Sequence, residues 1–407
     1  MNRIQVLDEA TANRIAAGEV VERPASVIKE LCENALDAGA TAISVDIEAG
    51  GLKYIGVSDN GSGMHPDDVE KAFMHHATGK IRSGDSLSAI ETLGFRGEAL
   101  SSIAAVSKLR MTTRMHHTDM GMGIEIHGGN TVYKGECGCP EGTVFSIRDL
   151  FFNTPARLKF IKSPGPEAAA CSDIMARMIL ANPDISIRFT NNGKAVYHSP
   201  GSGLADAIQA VYGQDIANNL FAVQATQHGV SISGFVGKPE ISRKNRAGQT
   251  IIINGRYVRN AAISEAVRDG CGQKLMIGRF PFFVLHINLS PAVVDVNVHP
   301  QKLEIKISNE DTLCDCIKRA VANALQEQSD IREFDLPVQD ENVEQTHMEP
   351  MRSIGFIQPK SQEAAGDIEE SISSLRKELG GLYETHGKEH VISEPSGIEL
   401  ETNEIET

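Results

Sequence analysis

Glu30-Leu-Cys-Glu-Asn34-Ala-Leu-Asp37-Ala38 is the stretch around which the rest of the chain falls into place. It lies inside residues 24–38, which read as a helix. Pro24 suits a first turn, Val27, Ile28, Leu31, Ala35 and Leu36 recur on one side, and Gly39 supplies a stop. On such a helix Glu30 and Asn34 stand one turn apart on a shared face. A carboxylate there can accept a proton from an attacking water. An amide oxygen one turn away can ligate Mg2+, a hard ion that prefers oxygen. A merely solvated helix face would look the same, so the pair takes its meaning from the clusters downstream of it.

There are three of these. Asp59-Asn-Gly61-Ser-Gly63 comes directly after a strand, where a carboxylate can accept from an exocyclic amine such as that of adenine. Its glycines let backbone approach a ligand, although a plain turn has the same composition. Gly94-Phe-Arg96-Gly97-Glu98-Ala-Leu100 joins a Gly/Ser/Thr-rich stretch containing Lys80 to a helix start. Free N–H groups and the helix dipole there favour phosphate, and Arg96 adds charge; the bland alternative is a helix cap. No G-x-x-x-x-G-K-[ST] string occurs, so this is not a Walker loop. Gly142-Thr143 opens a strand, and its hydroxyl could support Asp59.

The elements predict an α+β protein of mixed sheets covered on one face by helices. Strands are expected over 42–48 and 53–58 around a Gly50-Gly51 turn, a short helix over 66–74, and a helix over about 97–105. Further strands run to Arg148, and helical segments cover 154–162 and 166–181. After strands from about 184 and a helix near 203–212, a second unit begins near Phe221. It has strands at 229–236, 249–253 and 281–288 and helices at 260–270 and 309–327. The expected organisation is a mixed-sheet α/β-sandwich domain over 1–215 with a mobile segment at 76–98, then a smaller α+β domain over 216–330. Beyond it, 331–407 reads as a disordered acidic tail.

Charge supports that division. The 407 residues carry a net −15, but 331–407 hold 6 Lys+Arg against 18 Asp+Glu, a net −12. The remaining 330 residues are near neutral, which leaves nucleic acid open as a partner. The first twenty residues have no apolar signal core and no run approaches a membrane span, so a cytoplasmic protein is expected. Seven Cys in such a chain read as ordinary thiols. Cys137-x-Cys139 and Cys314-x-Cys316 lack zinc-knuckle spacing, and the second pair falls in a helix, where i and i+2 point apart.

Taken together, E-x-x-x-N-x-x-D-A, D-x-G-x-G, G-F-R-G-E-A-L and G-T, in that order, resemble the ATPase superfamily of gyrase, the ninety-kilodalton heat-shock chaperone, histidine kinases and MutL. Three strings resemble the MutL mismatch-repair family itself: Ile15-Ala-Ala-Gly-Glu-Val-Val-Glu-Arg-Pro-Ala-Ser26, Gly94–Leu100 and Asp295-Val-Asn-Val-His299-Pro300-Gln-Lys302. The resemblance covers about residues 3–330. It implies a Mg2+-dependent ATPase with Glu30 as general base, Asn34 as Mg2+ ligand, and Asp59 on adenine with Gly63 and Thr143 nearby. Lys80, Gly94, Phe95, Arg96, Gly97, Glu98 and Leu100 would wrap the triphosphate, and Lys302 would reach the γ-phosphate from the second domain.

The implied function is an ATP-controlled clamp that dimerises on ATP and couples mismatch recognition to repair. Its implied partners are double- or single-stranded DNA without sequence preference, a mismatch-recognition protein of the MutS type, and a downstream nuclease or helicase. Arg268 matches a family position that contacts DNA. It stands among Arg243, Lys244, Arg246, Arg256, Arg259, Lys274 and Arg279, where phosphate contacts without base reading are expected.

Two small departures stand out: Gly79 precedes Lys80 where the family usually has Ser, and Ser290 precedes Pro291 where Asn or Asp is common. The family's C-terminal dimerisation domain and the D-Q-H-A-x-x-E endonuclease motif found in some members are missing, so the chain is expected either to be truncated or to dimerise otherwise. A chaperone would lack the 15–26 string, a topoisomerase subunit would accompany a DNA-cleaving Tyr domain, and a non-catalytic scaffold would have no need of Glu30 and Asn34.

Overall fold

The computed structural model describes residues 21–74, 77, 97–227, 229–295 and 305–330. The first helix, α1 (Pro24–Asp37), begins on an extended Arg23 with proline in its first turn. Its buried stripe is Val27, Ile28, Leu31, Cys32 and Ala35. The chain leaves it through Gly39 at φ +72°, whose N–H donates to the Leu36 carbonyl. Strands β1 (Ala42–Glu48) and β2 (Tyr54–Asp59) then form an antiparallel pair around a 3-10 turn at Ala49–Gly51. Residues 66–74 depart from expectation. They make two 3-10 turns, Pro66–Asp68 and Lys71–Phe73, because of this stretch only Val69 is buried and Phe73 packs on the core partly buried, too little for an apolar helix face.

Helix α2 (Ala99–Ala105) packs against α1 and leads into β3 (Lys108–Arg114), β4 (Gly121–His127), β5 (Asn130–Cys137) and β6 (Gly142–Arg148). Two helices, α3 (Pro155–Leu158) and α4 (Pro164–Ala181), precede β7 (Ser186–Asn191) and β8 (Lys194–Ser199). These strands form one eight-stranded sheet in the order β5-β4-β3-β6-β2-β1-β7-β8. Only β1 and β7 pair in parallel, so the sheet is mixed. A bidentate contact ties α1 to α4: Arg23 Nε and Nη2 donate to Glu167 Oε2 at 3.1 and 2.9 Å. Glu167 lies in the first turn of α4, where a negative charge also suits the helix dipole.

Helices α5 (Leu204–Tyr212) and α6 (Gln214–Ala217) lead to a second sheet, β12-β11-β13-β10-β9. It is built from β9 (Leu220–Gln227), β10 (Val230–Gly237), β11 (Gln249–Ile253), β12 (Arg256–Val258) and β13 (Phe283–Asn288). One face packs on α7 (Ala261–Cys271) and α8 (Glu310–Asp330) through Ile251, Ile253, Phe283, Leu285, Ile263 and Val321. The intervening Ile252 and Val284, with Phe282, join the core of the first sheet instead. Burial on both faces explains why these strands read as unbroken apolar runs rather than alternating ones. Polar contacts cross the seam as well: His286 Nε2 lies 2.8 Å from the Leu180 carbonyl, and Arg177 sits 4.3 Å over the Tyr257 ring. Among the described residues no helix is long and apolar enough to cross a membrane.

Candidate functional site

Asp59 is the last residue of β2 and only 8% exposed. Its Oδ1 accepts from the Gly61 N–H at 2.8 Å, and the Thr143 backbone N–H also supports the carboxylate. Burial raises its pKa above the ordinary value, and these two N–H groups oppose that rise. Asp59 pairs with Thr143 in the β2–β6 register. Gly142, just before it, has φ +95°, and a Cβ there would fall 2.1 Å from the Asp59 carbonyl oxygen. Glycine is therefore obligatory at that position.

The Thr143 side chain does something the sequence did not suggest. Its hydroxyl lies 3.0 Å from the Thr113 hydroxyl, which in turn reaches the Gly142 carbonyl at 3.1 Å and accepts from the Met64 N–H at 3.0 Å. Thr143 thus supports Asp59 through its backbone, and Thr113 braces the hydroxyl. Thr113 escaped sequence reasoning because its place beside Thr143 depends on β3–β6 register, which no local signal carries.

The loop after Asp59 is pinned to α1. The Ser62 N–H donates to the Ala38 carbonyl at 3.0 Å, one turn beyond Asn34. A Cβ on Gly61 would lie 2.9 Å from the Ala38 Cβ, so the loop sits directly on the helix end. On its other side Gly63, at φ +68°, leaves no room for a side chain, because a Cβ would lie 2.2 Å from the Arg114 carbonyl oxygen. The Asn60 side chain fixes the loop to the start of β1 by accepting from the Thr41 and Ala42 N–H groups. These contacts bring the first two sequence clusters together.

On α1, Glu30 and Asn34 are both half-buried and flank the buried stripe. Lys29 lies 2.9 Å from Glu33 and 3.5 Å from Glu30. Burial acts to lower the Lys29 pKa, but Glu33 and Glu30 outweigh it and the net shift is upward, so the lysine stays charged. Beneath them the Cys32 thiol is pushed up to about 12 by burial, with Glu33 and Asp59 adding to the effect. It is an inert part of the floor. Gly97, at φ +62°, and Glu98 enter α2, where the Ser102 N–H and the Ser101 hydroxyl both donate to the Glu98 carbonyl. Leu100 packs partly buried on the core.

The described residues therefore bring Asp59, Gly63 and Thr143 to the end of α1 that carries Asn34, with Glu30 one turn further back on that helix and Gly97, Glu98 and Leu100 at the start of α2, which packs against it. Lys80, Gly94, Phe95, Arg96 and Lys302 lie outside the described residues, as do 331–407 and nearly all of 76–96.

Arg268, on α7 against the second sheet, forms an ion pair with Glu265, which also takes Arg246. Lys274 donates to the Leu325 carbonyl and Arg279 to Ser242. Several of the clustered basic residues thus have local partners. Cys314 and Cys316 sit on α8, and among the described residues no three His, Cys, Asp or Glu side chains form a metal-holding group.

Comparison with known proteins gives two family models. One, described as histidine kinase-, DNA gyrase B-, and HSP90-like ATPase, matches residues 22–127. The other, described as the C-terminal domain of DNA mismatch repair protein, matches residues 208–326. DNA mismatch repair protein MutL of Pelotomaculum thermopropionicum is 49% identical over 326 residues, covering 80% of this chain and 54% of that protein. The MutL of Desulforudis audaxviator is 47% identical over 341 residues, 84% of this chain and 60% of that protein. The chain thus spans little more than half the length of these relatives. Among solved structures, an Aquifex aeolicus MutL ATPase domain complexed with ADP aligns with a TM-score of 0.55 at 27% identity, covering 74% of this chain and 98% of that one. The N-terminal domain of a DNA repair protein, at a TM-score of 0.62 and 23% identity over 80% of this chain and all of that one, shares the fold.

Proposed function

The matched residues of this chain belong to the MutL family of DNA mismatch-repair proteins, and from that membership we propose that it is a slow ATPase working as a nucleotide-controlled clamp. The observation that carries the proposal is the buried Asp59 carboxylate, held by the Gly61 and Thr143 N–H groups against the end of the helix bearing Glu30 and Asn34. A buried acceptor of this kind suits the exocyclic amine of adenine. The glycines at 61, 63 and 142 keep the loop thin where a base would approach. The division into an ATPase domain over 1–215 and a transducer domain over 216–330 is part of the same proposal.

In this reading Glu30 takes the proton of the attacking water, and Asp59 orients the base with Thr143 behind it. Lys80 and residues 94–100 close on the triphosphate, and Lys302 links the γ-phosphate to the second unit. Asn34, with an amide oxygen one turn from a carboxylate, is the ligand offered to Mg2+, which would neutralise phosphate charge. ATP binding would bring two N-terminal regions together and hydrolysis would release them. Through this cycle the protein would pass recognition by a MutS-type partner to a downstream nuclease or helicase. Arg268 would meet DNA phosphates in the dimer.

The test is Glu30→Ala. Turnover should fall roughly 10²–10⁴-fold while ATP affinity persists. The same variant with ATP, or the unaltered protein with a non-hydrolysable analogue, should elute as a dimer. Unchanged turnover removes Glu30 as the base, and a monomer with bound analogue removes the clamp. Arg268→Glu should weaken DNA binding and lower its salt dependence by about one counterion. Equal affinity at every salt concentration would exclude that contact.

A further inference from the structure

Cys137 ends β5, and Cys139 comes two residues later. Cys139 lies just past the strand end, yet both sulfurs stand over the same face of the sheet, above the β4 glycines Gly121 and Gly123. That face is hollow here. Gly121 pairs directly with Cys137 and Gly123 with Gly135, so three neighbouring positions carry no side chain. The two sulfurs and the Tyr133 ring occupy the space. Cys139 Sγ lies 2.3 Å from where a Cβ of Gly121 would stand, and Cys137 Sγ lies 3.3 Å from the corresponding point on Gly123. Cys137 helps to hold the neighbouring Cys139 thiol protonated, and both residues are partly exposed.

Two further features make the pair competent to join. A disulfide requires Cα atoms about 4.4–6.8 Å apart, and two steps along a strand span roughly 6.4–6.8 Å, the upper end of that window. Closure therefore calls for a slight bend between the residues. The residue between them is Gly138, which is exposed, lies just past the end of β5, and has nothing within 4 Å of its Cβ direction. Next, Arg114 donates from Nε to the Cys139 carbonyl at 2.7 Å, and its positive charge favours a thiolate on Cys139. Burial and then Cys137 outweigh it, so the Cys139 pKa lies above the ordinary thiol value. Reaction accordingly speeds up as pH rises.

We propose that Cys137 and Cys139 form a two-thiol exchange site on the open face of the eight-stranded sheet, which low-molecular-weight disulfides convert to an intramolecular disulfide. One cysteine thiolate attacks a sulfur of the external disulfide and expels one thiol, leaving a mixed disulfide. The second cysteine, after losing its proton to solvent, attacks the protein sulfur of that mixed disulfide and expels the other thiol. Two protein S–H bonds and one external S–S bond are lost; one protein S–S bond and two external S–H bonds form. The protein is oxidised by two electrons and the external disulfide is reduced by two. Of the remaining cysteines, Cys32, Cys171, Cys271 and Cys316 are buried, and Cys314 is held to about 11 by burial and its acidic neighbours.

The test treats the folded 407-residue chain with glutathione disulfide, blocks remaining thiols by alkylation, and maps tryptic peptides by mass. No Lys or Arg separates the two cysteines, so they travel on one peptide. That peptide should appear two hydrogens lighter and unalkylated, and return to the alkylatable form after reduction. Cys137→Ser and Cys139→Ser should each instead retain glutathione on the remaining cysteine. The proposal is overturned if the unaltered protein leaves both thiols as alkylatable as before, keeps glutathione on either of them, or bridges either to a different cysteine.

Discussion

Asp59 is a carboxylate held nearly out of water by two backbone N–H groups. Such a group costs stability when ionised, because its folded pKa lies above its unfolded value of 3.8. That cost is absent well below pH 3.8, where the side chain is protonated in both states, and is fully present above the folded pKa. Asp59→Asn removes the charge while an amide oxygen can still accept from Gly61. The variant should therefore melt no lower than the unaltered protein at neutral pH. Its nucleotide affinity should nevertheless fall roughly ten- to a hundredfold, the worth of a hydrogen bond to a charged acceptor. Calorimetry and nucleotide titration on the same sample check both halves. Intact affinity would remove Asp59 as the base-reading group.

Helix α1 is positioned from both ends. Its C-terminal end is held by the Ser62–Ala38 contact and its N-terminal end by Arg23 on Glu167, 144 residues away. Glu167 is almost completely buried, whereas the Arg23 side chain is 36% exposed. Arg23→Ala would leave a buried carboxylate with no cation, and solvent reaching the arginine side moderates the loss. We expect a destabilisation of ~1–3 kcal/mol in urea unfolding. Arg23→Lys, which keeps the charge but not the two-pronged geometry, should lie between the two. If Arg23→Ala unfolds at the same urea concentration as the unaltered protein, the pair contributes nothing to holding α1.

Across the molecule, the seam between the two sheets combines apolar packing with one titratable contact. His286 on β13 faces the Leu180 carbonyl at the end of α4. Burial lowers its pKa below the ordinary 6.5, while the Leu180 hydrogen bond and Asp184 act against that shift. The unfolded chain therefore binds a proton more readily than the folded one. The resulting stability is complete above pH 6.5 and is lost as pH falls through that value toward the folded pKa. Unfolding measured from about pH 7.5 down to about pH 5.5 should show a loss that a His286→Gln variant lacks. A variant that tracks the unaltered protein across this window would place the acid sensitivity elsewhere.

Elements whose causes are local were legible in the sequence alone. The 24–38 helix came from its apolar period, Pro24 and Gly39, and the β1–β2 hairpin from alternation around two glycines. The runs at 249–253 and 281–288 were legible as strands because both faces are apolar. The order of the four clusters also sufficed to indicate the ATPase superfamily, and the strings at 15–26, 94–100 and 295–302 the family within it, since each motif lies within a few residues. Residues 66–74 misled for a local reason, too few core contacts to support an α-helix.

Features that depend on register and on distant partners required the folded chain. Folding sets Thr113 beside Thr143, sets the Thr143 N–H rather than its hydroxyl on Asp59, and joins Arg23 to Glu167. It also packs Ile252 and Val284 on one core and their neighbours on another. The short β12 and the strand β9 went unread for the same reason: their place comes from β11 and β10, not from their own composition. Hydrophobic period is written in neighbouring residues, whereas a strand's register is fixed by packing among segments that are distant in sequence and become neighbours only when the chain folds.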